Sequence, residues 1–476
     1  MQAPNDISAV RRAYDVLRKA YNEQPYLDAE AREDLLHRLE KMLLKYDDEF
    51  VKAMSDDFGY RNAFESRTAD VLIPLDSARY ARKHVREWMQ RRTVNSHPLS
   101  MPSHTYVEPI PLGVVGIIAP WNYPILLTLS PAAAAFAAGN RVLLKPSEVS
   151  AKTTEVLAKA IAEFFKPDEL AVVTGGAEVA REVTNLPLDH IVFTGSTQVG
   201  RLVLKAAAEN LVPATLELGG KSPALIHPSY NLDAAVERIA LGKTFNGGQT
   251  CVGVDYVLVP RALLTTFVDK LKARLEFQHA GRDNFTTMVT DRAFKRMEVL
   301  LADAKSKGAK AIETFKVKEG TRAFPPTLLL DVNDEMTVMQ EEIFGPLLPI
   351  IPYDTVDEAI ANINGRPRPL SLYYFDDDAE RIDEVLHRVP SGGVCVNDTL
   401  IHFAQEEVPL GGVGASGMGQ YHGVWGFERL SHLRGVMVTS RVSPAYLFLK
   451  PPYPGIALRS VNFLIRGLQG FARSLS

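Results

Sequence analysis

Residues 109–140 read PIPLGVVGIIAPWNYPILLTLSPAAAAFAAGN, a run of 32 residues without one charged side chain. Its length would suit a transmembrane helix, but Asn122 and the prolines at 111, 120, 124 and 131 interrupt it. The run instead predicts a buried strand over 112–119, a buried helix over 125–138 and a second buried strand over 141–145. Such an alternation is typical of a parallel sheet with helices on its faces.

The alternation of helices and strands continues to residue 218, and a second α/β unit follows over about 218–410. Ahead of the charge-free run, apolar residues recur at helical spacing over 6–60 and 70–89. Between these helices and the run, residues 93–110 carry several prolines around a short alternating stretch, which indicates an edge strand or a protruding hairpin. The sequence therefore predicts an α/β protein with two α/β parts and one small β element.

The composition and charge of the chain exclude some classes of function. A chain of 476 residues with a net charge of −4 and a pI near 6.3 has no basic footprint for nucleic acid. Two cysteines fit a reducing compartment, and the first residues, MQAPND, lack the features of a secretory signal, so we expect a cytoplasmic protein. The eleven histidines show no metal-ligand spacing, and we expect no metal.

Three stretches carry groups suited to covalent chemistry at a carbonyl. Cys251 follows a glycine pair in FNGGQTCVG (245–253), although most free cysteines are small buried hydrophobes. Glu217 lies between two leucines, where an apolar environment raises a carboxyl pKa and favours a general base. Asn122 lies in the proline-bounded turn PWNYP, a suitable position for a donor to an oxyanion.

Two further stretches follow predicted strands, where ligands of parallel sheets bind. They are Lys145 to Glu148 and the pair Gly195-Ser196, and the second also opens a predicted helix whose amides attract a pyrophosphate. The only match to the Gly-x-Gly-x-x-Gly dinucleotide pattern is 412–417. Since it opens no convincing helix, we reject it as a nucleotide site.

Taken together, these stretches resemble the NAD(P)-dependent aldehyde dehydrogenases. The family's motifs occur in the family's order, and the spacing from Glu217 to Cys251, 251 − 217 = 34, is also the family's. The matching motifs are PWNYP (120–124), KPSE (145–148), FTGST (193–197), ELGGKSP (217–223), GGQTC (247–251), EEIFGP (341–346) and PLGGVG (409–414).

The resemblance implies the aldehyde dehydrogenase fold, with a Rossmann-like cofactor domain, an α/β catalytic domain and a β oligomerisation hairpin. It implies Cys251 as the nucleophile, Asn122 as an oxyanion donor and Glu217 as the base that activates water. The cofactor is NAD, with NADP also used by relatives, held by Lys145, Glu148, Gly195, Ser196, Glu342 and Phe344. The expected parts are 1–90 with 112–217 for the cofactor, 218–430 for catalysis, 91–111 with 431–445 for oligomerisation, and a tail over 446–476.

The stretch from Gly411 to Gly423 and the proline-rich KPPYP (450–454) are similar to class 3 and coniferyl aldehyde dehydrogenases. These relatives oxidise medium and long aliphatic or aromatic aldehydes and are usually dimers, so we expect a homodimer. Tyr123 and His402 are candidates to line the substrate path, and a merely structural role for His402 is equally compatible with the sequence.

Residues 456–475 predict an amphipathic helix with one apolar stripe and a separate basic face. The stripe is Val461, Leu464, Ile465, Leu468 and Phe471, and the basic face is Arg459, Arg466 and Arg473. Either this helix docks on its own subunit, or it covers the partner's substrate entrance and contacts anionic membranes, as similar tails do in fatty aldehyde dehydrogenases.

Two other functions compete with aldehyde oxidation to an acid. A CoA-acylating dehydrogenase would pass the acyl group to CoA and commonly lacks the base, so Glu217 favours hydrolysis. A catalytically silent structural or binding protein could keep the fold, but Cys251, Glu217 and Asn122 are all present.

Overall fold

The computed structural model describes residues 7–97, 100–282, 284–441, 450–453 and 455–474, with side chains beyond Arg466 described only at Gln469. In this part of the chain the helices are α1 (Ile7–Glu23), α2 (Ala29–Lys45), α3 (Asp47–Phe58), α4 (Ala63–Ser66), α5 (Ile73–Trp88), α6 (Leu126–Ala137), α7 (Ala151–Phe164), α8 (Ala177–Asn185), α9 (Thr197–Glu209), α10 (Leu232–Thr244), α11 (Leu264–His279), α12 (Asp291–Ser306), α13 (Thr337–Gln340), α14 (Val356–Asn364), α15 (Ala379–Arg388), α16 (Gly423–Arg429) and α17 (Gly455–Ser474).

The strands of the described residues are β1 (Arg92–Val94), β2 (Ser103–Pro111), β3 (Val114–Ile118), β4 (Arg141–Lys145), β5 (Leu170–Val172), β6 (His190–Gly195), β7 (Ala214–Leu218), β8 (Pro223–Ile226), β9 (Tyr256–Pro260), β10 (Lys310–Glu313), β11 (Thr327–Leu330), β12 (Leu347–Tyr353), β13 (Ser371–Phe375), β14 (Gly393–Val396), β15 (Gly417–Met418) and β16 (Ser431–Thr439). They form three sheets.

The charge-free run lies at the centre of the first sheet. It supplies β3 and the fully buried helix α6, and β4 follows directly, as the sequence predicted. The six strands are ordered β15-β7-β6-β3-β4-β5, and every neighbouring pair is parallel except β15 with β7. Because parallel strands carry their carboxyl ends on one edge, the turns after β3, β4, β6 and β7 share that edge.

The second sheet has seven strands in the order β10-β11-β12-β9-β8-β13-β14, and only β10 runs antiparallel to its neighbour. Its core is formed by apolar residues of β8, β9 and β13 with α10 and α11. The two large sheets belong to one compact unit, which comprises Met1–Trp88 and Pro111–Ser431. Apart from residues 89–90, the predicted cofactor and catalytic domains fall within this unit, and their separate boundaries stay predictions.

A second compact unit comprises Met89–Ile110 and His432–Ser476. Its strands form the sheet β1-β2-β16, in which β1 pairs antiparallel with β2. Glu108 of β2 forms ion pairs with Arg91 at 2.7 Å and with Arg434 of β16 at 2.5 Å. The stretch predicted as an edge strand or hairpin is therefore β1 and β2.

Helix α17 is the helix predicted for the tail. Its described large apolar side chains are exposed, between 48% at Ile465 and 78% at Phe463. The side chains of Leu468, Phe471 and Arg473, which the predicted stripe and basic face include, lie outside the described residues. In the described part of the chain, no helix combines the length and apolarity that crossing a bilayer takes.

Candidate active site

A cavity of about 990 Å³ opens at the carboxyl edge of the first sheet, between its strands and the second α/β part. It brings together seven of the residues singled out from the sequence: Asn122, Gly195, Ser196, Glu217, Cys251, Glu342 and Phe344. Thiol, carboxylate and amide thus meet in one space, although 129 residues separate Asn122 from Cys251 (251 − 122).

The loop before Cys251 has a backbone that only a glycine pair accommodates. Asn246, Gly247 and Gly248 all have positive φ, at 54°, 63° and 77°. A Cβ on Gly248 would lie 2.6 Å from the carbonyl of Gly345, closer than real Cβ contacts allow. The loop therefore passes directly against neighbouring backbone and presents Cys251 at a fixed place in the cavity.

The Gln249 side chain holds this loop from inside the core. Its amide nitrogen donates to the carbonyls of Asn246 at 2.9 Å and Thr287 at 3.1 Å. Its oxygen accepts from the N–H of Val289 at 2.9 Å. A fully buried amide with all these bonds fixes the backbone two residues before the thiol.

Asn122 is attached to the same loop. Its Nδ2 donates to the Gln249 carbonyl at 3.2 Å, which leaves its second N–H for a ligand. The turn that carries Asn122 is held by Asp70, whose Oδ1 accepts from the N–H groups of Ile125 and Leu126 at 3.0 and 3.1 Å. Asp70 in turn forms a fully buried ion pair with Arg61 at 2.7 Å.

The thiol of Cys251 is a weak acid in this environment. Burial raises its pKa to about 12, and the carboxylates of Glu342 and Glu217 add to the rise. The backbone N–H groups of Val252 and Cys251 point at the sulfur and act in the opposite direction. The same two N–H groups are available to an oxygen on a carbon bonded to that sulfur.

Glu217 lies in β7, in register with Gly417 of β15, and is 5% exposed. Burial holds its pKa well above the usual range of a carboxyl group, and its Oε1 has no hydrogen-bond partner among the residues that the structure describes. A buried carboxyl whose pKa is raised in this way holds a proton more strongly than an exposed one and is suited to act as a general base.

Glu342 is the second carboxyl beside the thiol. Burial and the charge of Asp255 raise its pKa to about 8, while the Gly220 N–H stabilises its charged form. A Cβ on Gly219 would lie 2.0 Å from Glu342 Oε2, so this position needs glycine. In the described part of the chain, Glu342 Oε1 also has no hydrogen-bond partner. A buried carboxylate with a free oxygen in an open cavity is suited to accept hydrogen bonds from a ligand's hydroxyl groups.

The remaining residues expected to bind a cofactor lie at strand ends or near the cavity. Lys145, at the end of β4, is buried and bonds Glu148 at 2.7 Å. Ser196 caps the N-terminus of α9, where free amide groups favour a phosphate. Phe344 packs edge-on against Trp121, with ring centroids 5.4 Å apart. Lys145 and Glu148 do not line the cavity itself.

An apolar cluster surrounds Tyr123, the residue that follows Asn122. Tyr123 packs there with Leu127, Phe245 and Phe403, and the Tyr123 hydroxyl bonds Thr250 at 2.6 Å. His402 neighbours Phe403 but bonds Ser371 through Nε2 at 3.0 Å, and burial lowers its pKa to about 4. Neither Tyr123 nor His402 lines the 990 Å³ cavity.

Several residues of the site were missed in the sequence. Asp70 and Arg61 support a turn that lies far from them in the sequence. The only local indication was an acidic residue, Asp70, between the apolar residues Ala69 and Val71. Tyr421 is 3% exposed, and burial and the charges of Glu217 and Cys251 raise its pKa. Tyr421 lies in the stretch that resembles class 3 enzymes, but no role was assigned to it from the sequence. Among the described residues, no three His, Cys, Asp or Glu side chains gather as a metal site would require.

Known proteins resemble the chain over most of its length. The profile of the aldehyde dehydrogenase family matches residues 3–436. A probable coniferyl aldehyde dehydrogenase of Pseudomonas aeruginosa is 45% identical over 458 residues, 95% of each chain. Aldehyde dehydrogenase family 3 member A2 of Mus musculus is 39% identical over 88% of this chain and 86% of its own.

Solved structures agree with the sequence relatives. The substrate-bound state of Staphylococcus aureus AldH superimposes with a TM-score of 0.90 at 36% identity, over 96% of this chain and 99% of that one. Mycobacterium tuberculosis aldehyde dehydrogenase complexed with NAD+ gives a TM-score of 0.84 at 29% identity, over 92% and 91%. The resemblance predicted from the motifs is confirmed, and the chain belongs to the aldehyde dehydrogenase family, enzymes that oxidise aldehydes with NAD(P).

Proposed function

We propose that this enzyme oxidises medium or long aliphatic or aromatic aldehydes, of the coniferyl aldehyde type, to carboxylic acids. Cys251 adds to the aldehyde carbon, and the resulting thiohemiacetal becomes a thioester that water hydrolyses. The observation that supports this proposal most directly is the meeting of Cys251, Asn122 and Glu217 in one cavity. The relatives named for coniferyl aldehyde support the aromatic substrate class.

Asn122 and the backbone of Cys251 stabilise the oxyanion. When sulfur attacks, charge develops on the aldehyde oxygen, and fixed donors lower the energy of that state. Asn122 has one amide N–H free after bonding Gln249, and the Cys251 and Val252 N–H groups point toward the sulfur. Loss of one such donor costs roughly 10²–10³ in rate.

Glu217 removes protons in both halves of the reaction. The thiol must lose its proton as it attacks, and the hydrolytic water must lose one as it adds to the thioester. Glu217 is the buried carboxyl beside the thiol that has an oxygen free of any protein partner and a raised pKa. Glu342 shares these properties, but the Gly220 N–H and its seat on Gly219 suit it to hold a ligand.

The cavity fits NAD(P). It has an orphaned carboxylate oxygen at Glu342, a helix N-terminus capped by Ser196 next to Gly195, and the ring of Phe344 at its wall. Glu342 is suited to ribose hydroxyls and Ser196 to the pyrophosphate, and Lys145 with Glu148 suit the adenine ribose. When bound, the cofactor supplies the hydride acceptor that this oxidation requires. Glu148 favours NAD, because its charge repels a 2′-phosphate.

The apolar cluster beside Asn122 supports a hydrophobic substrate. Tyr123, Leu127, Phe245 and Phe403 form an aromatic and aliphatic wall next to the loop of Cys251. Such a wall contributes about 25 cal/mol for each Å² of apolar substrate surface that it buries. We therefore place the hydrocarbon or aromatic part of the aldehyde against this wall, with Tyr123 as its aromatic member.

Cys251→Ala tests the proposal. We expect the variant to bind cofactor, as measured by quenching of protein fluorescence, and to lose aldehyde-dependent NADH formation. Cys395→Ala is the matched control, since Cys395 is buried in β14 and belongs to the packed core. Substantial NADH formation by the Cys251 variant would reject the nucleophile. Product analysis with added CoA distinguishes a carboxylic acid product from an acyl-CoA product. Formation of neither product would indicate a catalytically silent binding protein.

The chain is proposed to act as a cytoplasmic homodimer in which α17 covers the partner's substrate entrance and contacts anionic membranes. The exposed apolar side chains of α17, among them Phe463 and Leu464, and its basic residues Arg459 and Arg466 support this role. Deletion of 456–476 is then expected to raise KM for long aldehydes far more than for short ones.

A double variant separates the two roles of the helix. Arg459→Gln with Arg466→Gln removes charge and keeps the apolar residues, so binding to anionic vesicles weakens while the chain-length effect persists. Equal changes in KM for short and long aldehydes after the deletion, with unchanged vesicle binding, would leave a helix that only docks on its own subunit.

A further inference from the structure

Lys221 is a buried cation in the wall of the cavity, and the proposed roles leave it unused. Its side chain is 7% exposed, and it lies in the short link between β7 of the first sheet and β8 of the second. The ammonium group forms a buried ion pair with Asp255 and donates to the carbonyls of Val338 at 2.7 Å and Glu341 at 3.0 Å. An ammonium group has three N–H donors, so Lys221 has none left for a ligand.

The ion pair of Lys221 and Asp255 binds the chain on both sides of Glu342. Lys221 donates to the Glu341 carbonyl, and Asp255 accepts from the N–H of Ile343 through Oδ1 at 2.8 Å. Asp255 uses its other oxygen, Oδ2, for the bond to Lys221. The backbone that carries Glu342 is therefore fixed at the residues immediately before and after it.

Arg296 of α12 binds the same segment from a different element. It lines the cavity and donates to the carbonyls of Glu342 at 2.6 Å and Ile343 at 2.5 Å. Together with Lys221 and Asp255, it provides side-chain partners for four backbone groups of residues 341–343. A segment held by so many bonds directs the Glu342 side chain before any ligand arrives.

The link that carries Lys221 also receives the Glu342 carboxyl group. Gly219 leaves room for it, since a Cβ there would lie 2.0 Å from Oε2, and the Gly220 N–H stabilises its charged form. Burial raises the pKa of Glu342 to about 8, and the charges of Lys221 and Arg296 act against that rise. Residues 219–221 thus influence both the position of this carboxyl group and its charge.

We propose that Lys221 is a positioning residue for the cofactor: with Asp255 it holds the backbone of Glu342, so that the unpartnered carboxylate oxygen meets the ribose on the nicotinamide side. The inference rests on the proposed function, which assigns Glu342 to ribose hydroxyl groups. Because Lys221 has no donor left for a ligand, its removal acts on binding through Glu342. A ligand that lacks this ribose is then insensitive to the change.

Lys221→Met tests this role, because methionine is similar in length but lacks the charge and the donors. ADP-ribose and ADP are the probes, since they share the adenosine diphosphate part and differ in the second ribose. In isothermal titration calorimetry we expect ADP-ribose to bind about tenfold more weakly, which corresponds to one hydrogen bond to a charged group. We expect the affinity for ADP to stay unchanged and KM for NAD to rise about tenfold.

Lys307→Met is the matched control. Lys307 also bonds a carboxylate and a backbone carbonyl, those of Asp303 at 2.6 Å and Glu335 at 2.7 Å. It does not line the cavity, and neither of these bonds reaches residues 341–343. We expect this variant to bind ADP-ribose and ADP like wild type.

A double variant separates positioning from stability. Lys221→Met leaves the Asp255 charge buried without its partner, which lowers the melting temperature. Adding Asp255→Asn removes that charge and keeps Oδ1 as the acceptor for the Ile343 N–H. We expect the double variant to regain melting temperature while the tenfold loss for ADP-ribose persists. Recovery of wild-type ADP-ribose affinity in the double variant would overturn the role of Lys221.

A cycle with Glu342→Ala separates this inference from the proposed function. If Lys221 acts through Glu342, Lys221→Met adds no further loss of ADP-ribose affinity in the Glu342→Ala background. Fully additive losses, or equal losses for ADP and ADP-ribose in Lys221→Met, would overturn the inference. If Glu342→Ala weakens ADP-ribose and Lys221→Met does not, only the inference fails. If Glu342→Ala leaves ADP-ribose affinity unchanged, the assignment of Glu342 to the ribose fails and the inference with it.

Discussion

The buried ion pair of Asp70 and Arg61 supports the turn that carries Asn122, and the variant Asp70→Asn separates its two functions. Both side chains are 0% exposed, and the pair is 2.7 Å long. The two backbone bonds to Ile125 and Leu126 both end on Oδ1, an atom that asparagine keeps. The substitution therefore removes the charge that faces Arg61 and retains the acceptor that holds the turn.

The expected loss is large in stability and small in activity. The Arg61 guanidinium also contacts Met54 Sδ at 3.3 Å and the rings of Phe58 and Tyr123 at 5.1 Å, and its charge acts on the buried carboxyl of Glu65. Breaking a buried pair by removing one partner costs about 3–5 kcal/mol, because the remaining charge is buried without compensation. Since the backbone bonds persist, we expect kcat/KM to fall less than about tenfold.

Urea titration measures the free energy of unfolding, and steady-state kinetics measures kcat/KM. Asp70→Ala, which also loses the two backbone bonds, is expected to add about 1–3 kcal/mol of destabilisation and a larger loss of kcat/KM. Asp354→Asn breaks the exposed pair with Arg261 and serves as the control, with no measurable change expected. Equal activity losses in Asp70→Asn and Asp70→Ala would refute the assignment of the backbone bonds as the support of Asn122.

Because burial raises the pKa of Glu217, acyl-enzyme hydrolysis should accelerate with pH as this carboxyl ionises. In Glu217→Gln the rate of acyl decay should not depend on pH. A wild-type pH profile in this variant would contradict the assignment of Glu217 as the base. Glu148→Gln should lower the ratio of kcat/KM for NAD over NADP severalfold, and an unchanged ratio would remove Glu148 from cofactor selection. Burial raises the pKa of Glu65 from 4.5 to about 7, so the folded state binds the extra proton and loses stability as pH rises through this window. In urea titrations at pH 8, Glu65→Gln should be more stable than wild type by up to about 3 kcal/mol, with a smaller difference at pH 5.

The sequence predicted the parallel elements well because their signals are local. The bounds of β4 match the predicted 141–145, since a buried strand leaves a clear local pattern. The stretch expected as one helix over 70–89 begins instead with a π-helical turn at Arg67–Leu72. Asp70 lies in this turn, and its bonds reach 55 residues along the chain, which no local pattern reveals.

The same distinction between local and long-range signals applies to the residues of the candidate site. Cys251, Glu217 and Asn122 lie in short motifs whose glycines and prolines mark unusual backbone, so residue type and neighbours sufficed to select them. Tyr421 lies in the stretch that resembles class 3 enzymes, but no local pattern assigns it a chemical role. A role that depends on a polar atom without a hydrogen-bond partner can be inferred only from the three-dimensional structure.

The electrostatics of the site impose a further constraint on the proposed chemistry. Burial and the two neighbouring carboxylates raise the pKa of Cys251 to about 12, which favours the protonated thiol over the thiolate. A free thiolate would add a charge beside two carboxyls whose own pKa values are raised for the same reason. The aldehyde offers a better location for that charge, because its oxygen faces the Asn122 amide and backbone N–H groups. Attack by sulfur and transfer of its proton to Glu217 are therefore expected to occur together, so that the negative charge forms on oxygen rather than on sulfur.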